Sequence, residues 1–90
     1  MINAEKMRRI ADETCTDDEF DAACKWLYGN VLREAEHGNT MFVHRVDVCD
    51  PTTNFRLCLT RLKREFEEAG YKFRMHWNDN GRPCRIEITW

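Results

Sequence analysis

Two prolines and four glycines in ninety residues leave nothing that reads as a linker, a repeat or a low-complexity tract. No stretch is apolar for long enough to span a membrane. The opening MINAEKMRRIADET has no apolar run that would serve as a signal peptide. No Gly-rich phosphate loop, G-x-S-x-G, H-E-x-x-H or D-x-D cluster occurs, so the best-marked routes to hydrolysis and phosphoryl transfer have no foothold. C-x-x-C is absent, and the three histidines complete no zinc-binding spacing. His44 and Cys49 do not pair by sequence either, being roughly 16 Å apart if extended. These absences predict a non-enzymatic protein with neither metal nor cofactor. A dominant charge is missing too: fourteen bases against sixteen acids give a net of −2, unlike the strongly basic balance of general phosphate binders.

What is present is a core. Hydrophobic residues make up 42% of the chain and aromatics 11%, enough for a single domain over residues 1–90. Asn3 is placed to cap a short first helix reaching about Thr14. Thr16 followed by Glu19 is a capping box, and Phe20, Ala23, Cys24, Leu27, Val31 and Ala35 then recur at spacings of three and four, stopping at Gly38. TMFVHRVDV reads as a strand that is apolar on parts of both sides, which suits cover on both faces or a subunit contact. DPTTNF begins a further helix, with Asp50, Thr52 or Thr53 as its cap. Phe55, Cys58, Leu59, Leu62, Phe66 and Ala69 form its stripe and Gly70 its stop. Tyr71, Phe73, Met75 and Trp77 alternate as a strand, NDNG turns the chain, and CRIEITW returns it with Trp90 expected in the core. The predicted fold is α+β, in the order ααβαββ, with a three-stranded antiparallel sheet against three helices.

Five cysteines, Cys15, Cys24, Cys49, Cys58 and Cys84, are an odd number without close pairing. Cys24, Cys58 and Cys84 fall on apolar stripes, where a cysteine acts as a small hydrophobe. Reduced thiols in a cytosol are the expectation.

The charges are unevenly spread. Residues 1–38 carry nine acids and five bases, residues 39–90 seven acids and nine bases. Asp12, Glu13, Asp17, Asp18, Glu19 and Asp21 crowd the helix start beyond what capping needs. This is the first candidate partner-binding surface, suited to a basic groove. Lys72, Arg74 and Arg85, with His76 and Arg82 nearby, form a basic strip on the polar face of the closing strands, the second candidate. Phosphates would suit it, but the aromatics of these strands point the other way and offer no stacking platform. In the helix before them, Arg56, Arg61, Lys63 and Arg64 precede Glu65, Glu67 and Glu68, an order that opposes the helix dipole. The open edge of a three-stranded sheet also makes a homodimer credible.

With these elements placed, AEKMRRIADET, VLREAEHGNTMFV, RLKREFEEAGYKF and the final IEITW together resemble small accessory proteins of tailed bacteriophages. The resemblance spans nearly the whole chain and lives in patterning; it brings no set of functional residues. It implies a non-enzymatic protein in the cytoplasm of an infected bacterium, one that binds and inhibits a host or anti-phage defence protein such as a CRISPR effector. The alternative is a nucleic-acid or nucleotide binder using the basic face of the closing hairpin, in which case an oligomer is expected.

Overall fold

The computed structural model describes residues 3–6, 15–48 and 50–90. Residues 4–6 are helical, and Asn3 starts them as its side chain predicts, with Oδ1 accepting from the Lys6 N–H at 2.9 Å. The rest of the expected first helix lies outside the described residues, as do Asp12 and Glu13. The long helix α1 (Asp17–Glu36) leads to β1 (Met41–His44), a 3-10 turn (Phe55–Cys58), α2 (Leu59–Glu68), β2 (Lys72–Trp77) and β3 (Pro83–Thr89). The strands form one antiparallel sheet in the order β1-β3-β2, so the fold is α+β with the element order read from the sequence.

α1 starts where its cap says it should. Thr16 is extended and its Oγ1 accepts from the Glu19 N–H at 3.2 Å, satisfying a donor that has no partner inside the helix. The buried face is Ala23, Leu27 and Val31, one helical turn apart. At the other end Gly38, at φ 82°, takes the left-handed turn that a side chain would resist. Gly29 has open space where a side chain would stand. It therefore serves no close approach and is a local weakness of the helix.

The core lies between one face of the sheet and the helices. Ile86 and Ile88 of β3, Phe73 of β2, Phe55 and Cys58 of the 3-10 turn, and Leu59, Leu62 and Phe66 of α2 are buried with the α1 face. Phe66 is its aromatic centre, stacked on Tyr28 at 4.4 Å between centroids and in contact with Tyr71 at 5.3 Å and Phe73 at 5.9 Å. Trp26 joins Phe42, His44 and Phe55 in a second aromatic group at 4.8–5.9 Å. The opposite face of the sheet carries no helix among the described residues. Of the two readings for β1, cover on both faces or a subunit contact, the first is not met by any described helix, and Met41 and Val43 are exposed on the open face.

Four expectations need correction. The strand read as TMFVHRVDV is short: β1 ends at His44, and residues 46–48 turn. Val46 is nonetheless fully buried because its N–H and that of Asp47 both reach the Cys84 carbonyl, which pins the turn to β3; Val48 is exposed. The third helix does not begin at Asp50, Thr52 or Thr53. Asn54 adopts a left-handed backbone at φ 54°, a 3-10 turn follows, and no side chain caps it. Asp50 instead accepts from Arg56 Nε at 3.1 Å. Trp90 is not a core residue. Its N–H donates to the Thr40 carbonyl, extending the β1–β3 pairing, but the indole is 36% exposed.

The fourth concerns the cysteines. Cys15 and Cys58 form a disulfide across a sequence separation of 43 residues, so the thiols are not all reduced. Both are buried, and their bond ties the residue before the α1 cap to the residue before α2. The linear spacing of cysteines carries no information about such a pair. Only the packing of two helix starts against each other brings them within reach.

Candidate functional site

The acidic helix start is partly spent inside the molecule. Asp17 accepts from Arg61 Nη2 at 2.9 Å, and the same guanidinium lies 4.1 Å over the Phe20 ring. Glu19 does not close its capping box; its Oε1 accepts from Asn54 Nδ2 at 3.1 Å, 35 residues on. These contacts surround the disulfide and hold α1 to the start of α2. Asp18 and Asp21 alone, among the described acids of this cluster, stay exposed without an ion-pair partner. The cluster is chiefly a clasp between helices, a use that the charge run itself does not advertise.

The basic strip is assembled as expected and is more open. On the helix-free face, Lys72, Arg74 and His76 of β2 stand opposite Thr89, Glu87 and Arg85 of β3. Glu87 faces two of these side chains: Arg85 Nη2 lies 3.2 Å from its Oε1 as an ion pair, and His76 Nε2 lies at the same distance but is not aligned as a hydrogen bond. Lys72 and Arg74 are exposed and have no ion-pair partner among the described residues. Across β3, the same rows end in Met41 and Val43, so the face grades from cationic to apolar. At the foot of β1, Arg45 donates to Asp47 at 2.9 Å, and this bond holds the Asp47 carboxyl below its ordinary pKa.

Two features went unseen in the sequence. The alternation that should turn Trp77 inward is broken by a register shift between His76 and Trp77. The indole is 58% exposed beside a groove that Thr60 and Lys63 of α2 form with Phe73 and Met75. A bulge is a backbone event, invisible in a period-two pattern. The second is an apolar cleft of about 470 Å³, lined by Tyr28, Val31, Leu32, Ala35, Ala69, Gly70, Tyr71 and Trp90. Its one legible signal was Tyr28 and Leu32, a helical turn apart and off the main stripe.

No group of three or more His, Cys, Asp or Glu side chains suited to a metal exists among the described residues, and none of their helices is long and apolar enough to cross a membrane. Cys24 packs on the core, and burial, followed by the nearby Glu65 and Asp21 carboxylates, pushes its thiol up to about 11. It is therefore a neutral thiol near pH 7, the wrong state for a nucleophile. At pH 8, alkylation of Cys24 in the folded protein should be roughly ten- to a hundredfold slower than in the unfolded chain. Peptide-resolved mass spectrometry after iodoacetamide pulses measures this; equal rates would show an accessible, ordinary thiol.

No family model, curated protein or solved structure proves similar to this chain.

Proposed function

We propose that this protein works by binding, as a small non-enzymatic phage protein that docks on a host or anti-phage defence protein and blocks it. The supporting observation is the state of the open sheet face: Lys72 and Arg74, exposed and without an ion-pair partner among the described residues, lie on the edge strand β2, which also carries the exposed Trp77. Tryptophan and arginine are the side chains that most often anchor protein interfaces. The unpaired edge of β2 offers backbone groups to a partner strand as well. Cationic residues grading into exposed Met41 and Val43 suit a protein surface that presents carboxylates around an apolar patch. A phosphate backbone would make no use of the apolar row. The phage and anti-defence part of the reading rests on the patterning of AEKMRRIADET, VLREAEHGNTMFV, RLKREFEEAGYKF and IEITW.

Action in the cytoplasm of an infected cell goes with this reading and sets a condition. Cytosolic thiols are kept reduced, so the fold must persist there with the Cys15–Cys58 link open.

The test is capture from a lysate of the bacterial host by the tagged chain, with mass spectrometry of what is retained. Lys72→Glu with Arg74→Glu should lower retention of the partner at least about tenfold, as expected when charged contacts at an interface are reversed. Asp18→Lys with Asp21→Lys should leave it within about twofold. The opposite ranking would move the interface to the helix start. Retention of nucleic acid instead, with affinity falling steeply as salt rises, would replace the protein partner by a polyanion.

A further inference from the structure

The apolar cleft belongs to neither charged surface, and its construction points to a particular ligand chemistry. Its walls are aromatic. Tyr71 meets Tyr28 and Trp90 at centroid distances of 6.3 and 6.4 Å, with interplanar angles of 68° and 71°. An edge-to-face pair covers one ring face where a stacked pair covers two. Tyr28 rests one face on Phe66 at 4.4 Å and 23°, which leaves the other turned away from that core ring. Leu32, 59% exposed, completes an apolar rim.

The hollow also has an electrostatic sign. Both long helices end on it: Ala35 lies in the last turn of α1, Ala69 is the C-cap of α2, and Gly70 follows. A helix C-terminus carries roughly half a negative charge. The last turn of α2 adds Glu65, Glu67 and Glu68 and contains no base; Lys63 neutralises Glu67 at 3.0 Å. Burial first raises the pKa of the Tyr28 hydroxyl, and the Glu65 carboxylate adds to it, so that acid is near enough to be felt at the wall. Arg33 and His37, at the end of α1, are exposed, with the His37 ring held 2.7 Å from the Arg33 carbonyl. The charge order of α2, which works against its own dipole, becomes intelligible if a positive group sits beside that end.

Among the described residues no side-chain carboxylate lines the cleft, so a metal ion or a bare ammonium would lose its water there without replacement. A cation wrapped in methyl groups sheds water at little cost and is attracted by aromatic faces. We infer that the cleft binds an alkylated ammonium group between Tyr28, Tyr71 and Trp90, carried by a choline-type small molecule or by a methylated lysine side chain.

The experiment titrates the isotope-labelled full chain with tetramethylammonium, choline, trimethyl-lysine and dimethylbutanol, the uncharged carbon analogue of choline. At least one cation should shift the indole N–H of Trp90 and the amides of Gly70 and Tyr71, while the indoles of Trp26 and Trp77 stay in place. The neutral alcohol should bind at least about tenfold more weakly than choline, in line with a desolvated cation–π contact. Tyr71→Leu and, separately, Trp90→Leu should each weaken cation binding about tenfold. Glu65→Gln should weaken it by roughly two- to fivefold. Preference for choline or for trimethyl-lysine identifies the source, and either supports the site. Equal binding of the alcohol and choline, or no shift from any cation, overturns it; neither outcome depends on a variant that must fold.

Discussion

Breaking the Cys15–Cys58 bond is expected to lower the free energy of unfolding by about 4 kcal/mol in the loop-entropy account, given a separation of 43 residues. For a domain of this size total stability is roughly 5–13 kcal/mol, so the loss is a large share of the whole. The effect should concentrate where the bond sits. It fastens the start of α1 to the start of α2 beside Arg61, which donates to Asp17, covers Phe20 and approaches the Cys15 carbonyl at 3.5 Å. Chemical denaturation with and without a phosphine reductant measures the difference, and the double variant Cys15→Ala with Cys58→Ala gives it without reductant. A melting temperature lowered by roughly 15–30 °C is expected. A midpoint that moves by less than a few degrees would mean that the packing of the two helix starts holds by itself.

The second large effect lies at Phe66. It is fully buried and bears on Tyr28, Tyr71 and Phe73 at once. Phe66→Ala removes the ring on which Tyr28 of α1 and Phe73 of β2 both rest, and such truncations cost about 3–5 kcal/mol because the surroundings close only partly over the hole. Combined with reduction of the disulfide, it should leave the chain without fixed packing at room temperature. Near-ultraviolet circular dichroism would then lose its aromatic bands while far-ultraviolet helix signal persists. Phe66→Leu keeps much of the volume and should cost about 1–2 kcal/mol. If alanine proved no worse than leucine, the ring would not be the centre of the core.

The elements that were legible in the sequence are those with local causes. Thr16 caps, Gly38 and Gly70 stop, and Asn78 organises its turn by accepting from the Asn80 and Arg82 N–H groups at 3.0 Å. The Ile86 and Ile88 stripe fell on the core face because a strand permits only two faces. The illegible part is non-local. Asn54 in a left-handed backbone, with its side chain on Glu19, replaced an expected cap by a tertiary contact. The disulfide and the clasp at Arg61 depend on two segments that approach only in the finished fold. So do both features of the surfaces that periodicity concealed: the outward Trp77 at its bulge, and the cleft that Trp90 borders instead of filling the core. The Lys72 and Arg74 strip was readable because it needs nothing beyond the alternation of one strand.

The strand order has a consequence for how this chain reaches its native state. β3 is hydrogen-bonded to both other strands, yet it is the last of the three to leave the ribosome. β1 therefore waits through the synthesis of some forty residues with no strand to join. Until β3 arrives, the nascent chain has its helices and the aromatic side chains around Phe66 and Trp26, but neither Ile86 nor Ile88 of the core. Sheet assembly is thus a single late event in which two ladders close on one template, and the distance along the chain between β1 and its partner makes it slow relative to helix formation.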